Sequence, residues 1–268
     1  MEGQKLYRLR MWLDIGDWDY KDFGYNKSSL FHGALMQLIS KDYAELMHQE
    51  GLRPYSQHVG WSNGRPIWEI CTLTNQAYEE IIKPLLDEDF ETIELEHNLR
   101  RIGIKDKVLE ELSVSDMLDN VYGDNSENIF VISFDTPTAF KRDGKYINFP
   151  DMYLLYRNIM AKQEENCEEY GMFDEDMLFE LTDNTRLLSY SLNSATFFLE
   201  GVRIPAFKGQ IRVQVKSTQT VINYANMLFE YANYAGIGIK TALGMGYVNI
   251  SQQRRRDNVR TDDNTHCS

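Results

Sequence analysis

The chain is short of cysteine, short of base and has no long apolar run, and each shortage removes a class of protein. Only Cys71, Cys167 and Cys267 occur among 268 residues, none in a Cys-x-x-Cys pair. A disulfide framework and a cysteine-built zinc site are therefore excluded, and cysteine is assigned no role. No stretch approaches the ~18 consecutive apolar residues of a membrane-spanning helix. The opening MEGQKLYRLRMW lacks the basic, apolar and small-residue order of a secretory signal, so a cytoplasmic protein with no membrane partner is expected. With 28 Lys and Arg against 41 Asp and Glu the net charge is −13, which by itself disfavours a polyanionic partner.

What is present is a globular composition, 43% hydrophobic and 12% aromatic, with its charge unevenly placed. Six acids and no base lie between Asp87 and Glu96, and nine acids against one lysine between Lys162 and Asp183. Val202 to Thr220, by contrast, carries Arg203, Lys208, Arg212 and Lys216 with no acid. On their own these four read as ordinary strand-surface charges.

Periodicity divides the chain into two similar cycles. Gln4 to Ile15 alternates as a strand, and a helix capped near Ser28 and Ser29 runs through Leu30, Ala34, Leu35, Leu38 and Ile39 toward Leu46 and Met47. A turn at 62–66, a strand at 67–74, a helix at 75–86 and a strand region at 90–104 complete the first cycle. The second begins with a strand at Asn128, turns at Thr136-Pro137, and passes through KYINF and a helix from Asp151 to about Asn166. Strands at 188–199 and 210–215, a helix at 220–234 and a strand at 246–250 close it. The order predicts an α+β protein of tandem ferredoxin-like (RRM-like) βαββαβ domains, at 1–127 and 128–250. The polar tail 251–268, with Arg254, Arg255 and Arg256 together, is expected to be disordered.

The most specific segment is Gly236-Ile237-Gly238-Ile239-Lys240-Thr241-Ala242-Leu243-Gly244-Met245-Gly246. A dinucleotide fingerprint needs Gly-x-Gly-x-x-Gly running from strand into helix, whereas here Thr241 takes the third glycine slot and a helix comes first. A phosphate-binding loop needs Gly-Lys followed by Ser or Thr, and none exists. What remains is a loop whose glycines permit positive φ and close backbone approach, so that its amides and Lys240 can meet phosphates.

This segment resembles the C-terminal signature of the CRISPR-associated repeat-cleaving endoribonucleases: Gly-hydrophobic-Gly, five residues, Gly-hydrophobic-Gly. Phe31-His32-Gly33-Ala34-Leu35 with Ala44-Glu45-Leu46-Met47-His48 is similar to that family's first helix. Thr136-Pro137-Thr138-Ala139-Phe140-Lys141 with Phe149-Pro150-Asp151 is similar to the start of its second half, and the likeness is greatest to members that accompany type III interference complexes. The resemblance implies a metal-independent endoribonuclease that cuts CRISPR repeat RNA (pre-crRNA) into guide units. The ribose 2′-OH would attack the adjacent phosphate, leaving a 2′,3′-cyclic phosphate and a 5′-OH. It implies no cofactor and no metal, repeat RNA as partner, and a type III interference complex as a further one. A non-cleaving RNA-binding subunit of such a complex is the alternative. Lys208, Arg212 and Lys216 then become candidate phosphate contacts, with Gly236, Gly238, Lys240, Thr241, Gly244 and Gly246.

In-line attack by a 2′-OH needs a proton acceptor, a proton donor and positive charge near the phosphorane, so histidine with arginine or lysine is expected. His97 sits in an acid-rich region and His266 in the tail, and His58 stands behind the other two. His32 and His48 are sixteen residues apart, ~24 Å along an unbroken helix, so both reach one phosphate only if the helix breaks near Lys41-Asp42. By the family's His-Lys spacing, His48 would be catalytic and Arg53 would replace the lysine. Met36 takes the place of a tyrosine, and Arg53 stabilises charge but shuttles protons poorly. Members with a histidine near the helix start favour His32, helped by Tyr25 and Lys27. The choice between His48 and His32 stays open at this level.

Overall fold

The computed structural model describes residues 3–253 apart from 17, 49–50, 52, 96–99, 123–125, 168–172 and 200, with only the backbone of His48 and Tyr122. His97, Arg254, Arg255, Arg256 and His266 lie outside the described residues, as does the side chain of His48.

The first half runs β1 (Lys5–Asp14), a 3-10 turn (Tyr25–Lys27), α1 (Ser28–Leu38), α2 (Lys41–His48), β2 (Tyr55–Ser62) and β3 (Arg65–Thr72). A continuous helical run follows: α3 (Asn75–Ala77), a π-helical turn (Tyr78–Ile82) and α4 (Lys83–Leu85). Then come β4 (Thr92–Leu95), β5 (Arg100–Ser113) and α5 (Val114–Tyr122). The second half has β6 (Ile129–Thr138), the small ribbon β7 (Phe140–Arg142) and β8 (Lys145–Ile147), α6 (Met152–Asn166) and α7 (Glu175–Asn184). It ends with β9 (Thr185–Leu199), β10 (Val202–Val215), α8 (Gln219–Ala235) and β11 (Val248–Gln252). The sheet orders are β2-β3-β1-β5-β4 and β11-β6-β10-β9, every pairing antiparallel. In each, the unit's first strand lies between its third and its last, the ferredoxin-like arrangement expected of βαββαβ.

Several elements differ from the sequence reading. The long first helix is two helices: Ile39 is extended, with ψ 164, and the Ser40 hydroxyl accepts from Tyr43 N at 3.4 Å to start α2. Strand β2 had no separate signal. It turns into β3 through Asn63 and Gly64, both at positive φ, a two-residue hairpin. Helix α5 shows its apolar face only as Val114, Met117 and Val121, and α7 lies inside the acidic block with Leu178 and Leu181 buried. Ser251 and Gln252, expected in the tail, pair with Val131 and Phe130 as the end of β11.

Alternation along β1 explains how the halves join. Leu9, Met11 and Leu13 pack on Phe31 and Leu35 of α1 and on Ile81 and Leu85. The opposite face of the sheet presents Arg8 and Arg10, beside Glu69 on β3 and His58 on β2. Glu69, 1% exposed, pairs with Arg10 at 2.7 Å and Arg8 at 3.5 Å. Arg8 Nη2 also donates to Asn233 O at 2.9 Å, and its guanidinium lies 4.4 Å from the Tyr234 ring of α8. His58 stacks on Tyr247 with ring centroids 3.6 Å apart. The second core gathers Phe130, Ile132 and Phe134 of β6, Ile211 and Val213 of β10, and Ala225 and Leu228 of α8.

Burial pushes the His58 pKa down to about 4; Glu69 opposes the shift and the two arginines reinforce it. The native ring therefore stays neutral while the unfolded one takes a proton near pH 6.5. Stability present above pH 6.5 is lost as pH falls toward 4. Thermal unfolding followed over that range should show a fall in midpoint that is shallower in His58→Phe, which keeps the stack and cannot titrate.

Candidate active site and nucleic-acid interface

The glycine segment begins where α8 ends. Gly236 caps the helix at φ 67, Lys240 sits in the left-handed region at φ 57, and Thr241–Leu243 make one 3-10 turn before Gly244. Gly236, Gly238, Gly244 and Gly246 are all buried. Gly244, at φ 99, lies directly on Ser28, where a methyl would overlap the serine's Cβ. Gly246 presses in the same way on the Ile237 carbonyl. The glycines are thus needed to shape the segment, and the exposed side chain within it is Lys240.

Ser28 opens α1 and is fully buried. Its hydroxyl accepts from Val59 N at 3.1 Å. Gln57 donates from Nε2 to the carbonyls of both Ser28 and Ala242, at 3.0 Å each, and accepts from Trp68 Nε1. The first turn of α1 is therefore bolted to the glycine segment on one side and to β2 on the other.

One turn further along α1 is His32. Its Nδ1 lies 3.1 Å from the Tyr55 hydroxyl on β2, with the two rings nearly parallel at 10°. Burial raises the Tyr55 pKa well above the usual phenol range, so the hydroxyl stays neutral and can donate to Nδ1 or accept from it. The Arg53 charge acts on that same hydroxyl in the opposite direction. The structure thus pairs His32 with Tyr55. His48 ends α2, beyond the break at Ile39 and Ser40. Met36 packs against the core of the first half. Sequence reasoning does not reach Tyr55, because β2 carries no separate signal and only its tertiary approach to α1 brings the hydroxyl to His32.

Lys208 sits over the Tyr25 ring at 4.7 Å, in the turn that leads into α1. Burial lowers its pKa, and Asp135 counteracts this. Lys27 lies 5.7 Å from the Trp18 ring. Along β10, Ile211, Val213 and Val215 point to the core, so Gln210, Arg212 and Gln214 share the opposite face. Lys216 is exposed just past the strand. Eight residues at ~3.3 Å each separate Lys208 from Lys216, about 26 Å, enough to follow several nucleotides. Between the sheets, Arg10, Tyr25, His58, Trp61, Lys208 and Tyr247 line a cleft of about 470 Å³. Buried and neutral against Tyr247, His58 is a packing residue here.

Residues 132–248 match the family described as CRISPR-associated endoribonuclease Cas6. The Cas6 of Streptococcus thermophilus is 30% identical over 84% of this chain and 91% of its own length. That of Mycobacterium tuberculosis is 29% identical over 84% of this chain and 72% of its own. Among solved structures, a Cas6 product complex superposes with a TM-score of 0.75 at 18% identity, covering 92% of this chain and all of that one. Thermus thermophilus Cas6 gives 0.71 at 16%, covering 94% and 100%. The fold is shared, and the chain belongs to the Cas6 family of CRISPR-associated endoribonucleases.

The overlap at Gly244 gives a direct check on the segment's role. Gly244→Ala should lower stability by about 3 kcal/mol through the strained φ and the clash with Ser28. Urea unfolding of the variant beside the parent protein measures it.

Proposed function

We propose that the chain cleaves CRISPR repeat RNA by metal-independent transesterification, with His32 as the proton-transfer group. The observation that carries this reading is the pair His32 Nδ1 to Tyr55 hydroxyl at 3.1 Å, on a helix whose first turn is seated on the glycine segment. Family membership supplies the substrate class. With Nδ1 held by Tyr55, the ring meets the RNA through Nε2. The 2′-oxygen bonds to phosphorus as its proton passes to the imidazole, the bond from phosphorus to the 5′-oxygen breaks, and that oxygen takes up a proton from water. Arg53 supplies positive charge beside the phosphorane. The products are a 2′,3′-cyclic phosphate and a 5′-OH. A neutral Tyr55 hydroxyl serves either imidazole tautomer, and so positions the His32 ring. Lys208, Arg212, Lys216 and Lys240 hold the RNA backbone, the glycines and Thr241 act by shaping the loop, and a type III interference complex receives the product.

The test is incubation of purified protein with its repeat RNA in EDTA. One cut and a cyclic phosphate are expected. His32→Ala should slow it by about 10² to 10⁴-fold, and Tyr55→Phe should slow it about tenfold. Full activity in a His32→Ala, His48→Ala double variant overturns the mechanism, and tight binding without any cut establishes the non-cleaving alternative.

Alanine at Lys208, Arg212 and Lys216 together should weaken binding and reduce the slope of log affinity against log salt by about 2, at ~0.7 per phosphate contact on a single strand. An unchanged slope removes the three from the interface.

A further inference from the structure

Lys162 lies in the last third of α6, is 4% exposed and makes no ion pair among the described residues. Its Nζ donates to Ala235 O at 3.1 Å, Gly236 O at 3.0 Å and Thr241 Oγ1 at 3.4 Å. Three donors therefore meet three acceptors. Two of the acceptors are carbonyls at the C-terminal end of α8, where the helix carries partial negative charge. A buried ammonium without a carboxylate is an unfavourable way to fill a core, and burial has lowered its pKa to about 7. Methionine or leucine would fill the same space without that penalty.

The three acceptors belong to two parts of one loop. Ala235 and Gly236 are its entrance; Thr241 is its middle. Thr241 adjoins Ala242, whose carbonyl is held by Gln57, and is three residues from Gly244, which rests on Ser28. The contacts run without a gap from Lys162 through the loop to the first turn of α1, one turn from His32.

We propose that Lys162 is a positioning residue for RNA cleavage: its Nζ cross-braces the glycine segment in the shape on which the His32-bearing helix is seated. The inference rests on the reading that the chain cleaves RNA at His32. Lys162 is buried beneath the loop and does not meet RNA, so its loss changes the rate of bond breaking and leaves the grip on RNA intact.

The experiment compares parent protein, Lys162→Met and Thr241→Val on repeat RNA under single-turnover conditions. Affinity is measured on the same RNA with a 2′-deoxy substitution at the cut, and thermal unfolding is followed in parallel. Lys162→Met is expected to cleave at least tenfold more slowly with Kd within threefold of the parent. Thr241→Val, which removes one acceptor and keeps the shape, is expected to show a smaller loss at unchanged Kd. Parent-like rates in both variants overturn the proposal. So does a joint fall of rate, affinity and unfolding midpoint in both, which is the signature of a merely structural residue. If the parent protein itself does not cut, it is the functional reading that fails; if the parent cuts and Lys162→Met cuts as fast, only the role of Lys162 does.

Discussion

The last turn of α8 ends inside the protein, where its orphan carbonyls must find donors other than water. They find them on three separate elements: Arg8 of β1 at Asn233 O, Ser56 of β2 at Tyr234 O, and Lys162 of α6 at Ala235 O and Gly236 O. Two of these donors come from the first half of the chain and one from the second. Satisfying one helix end thus ties the two ferredoxin-like units together and fixes where the glycine segment starts. The Arg8 guanidinium, which stays charged, also faces the negative end of the helix dipole.

From that anchor the segment can turn only with glycine, because it passes through positive φ while pressed against Ser28 and against its own backbone. Its contribution is structural. Four buried glycines shape the support, Gln57 ties that support to α1 and β2, and the His32–Tyr55 pair proposed for the chemistry lies one helical turn from it. The net charge of −13 does not obstruct this, since the acids gather elsewhere and β10 carries its bases without an acid. Field at the site, more than total charge, governs contact with phosphates.

Much of this was legible in the chain itself. Period-2 and period-3.6 patterning set out two βαββαβ cycles, and the paired glycines located the loop and the family. Legibility failed where local pattern and tertiary role part company. The acid-rich surface of α7 hid Leu178 and Leu181, and the break at Ser40 rests on a single hydroxyl. The order of strands in each sheet also lay beyond periodicity, which marks strands without pairing them.

The site divides along the same line. Sequence alone determined the two-cycle order of the main elements, the residue types available for proton transfer and the bases of β10, because those follow from composition and spacing along one chain. Tertiary structure decided that His58 is a buried packing residue and that Tyr55 is the partner of His32. It also decided that a lone lysine in an acidic stretch holds the glycine segment. Those outcomes depend on which groups the fold removes from water and which it leaves within hydrogen-bond reach, and residues 23 or 79 positions apart carry no local sign of either.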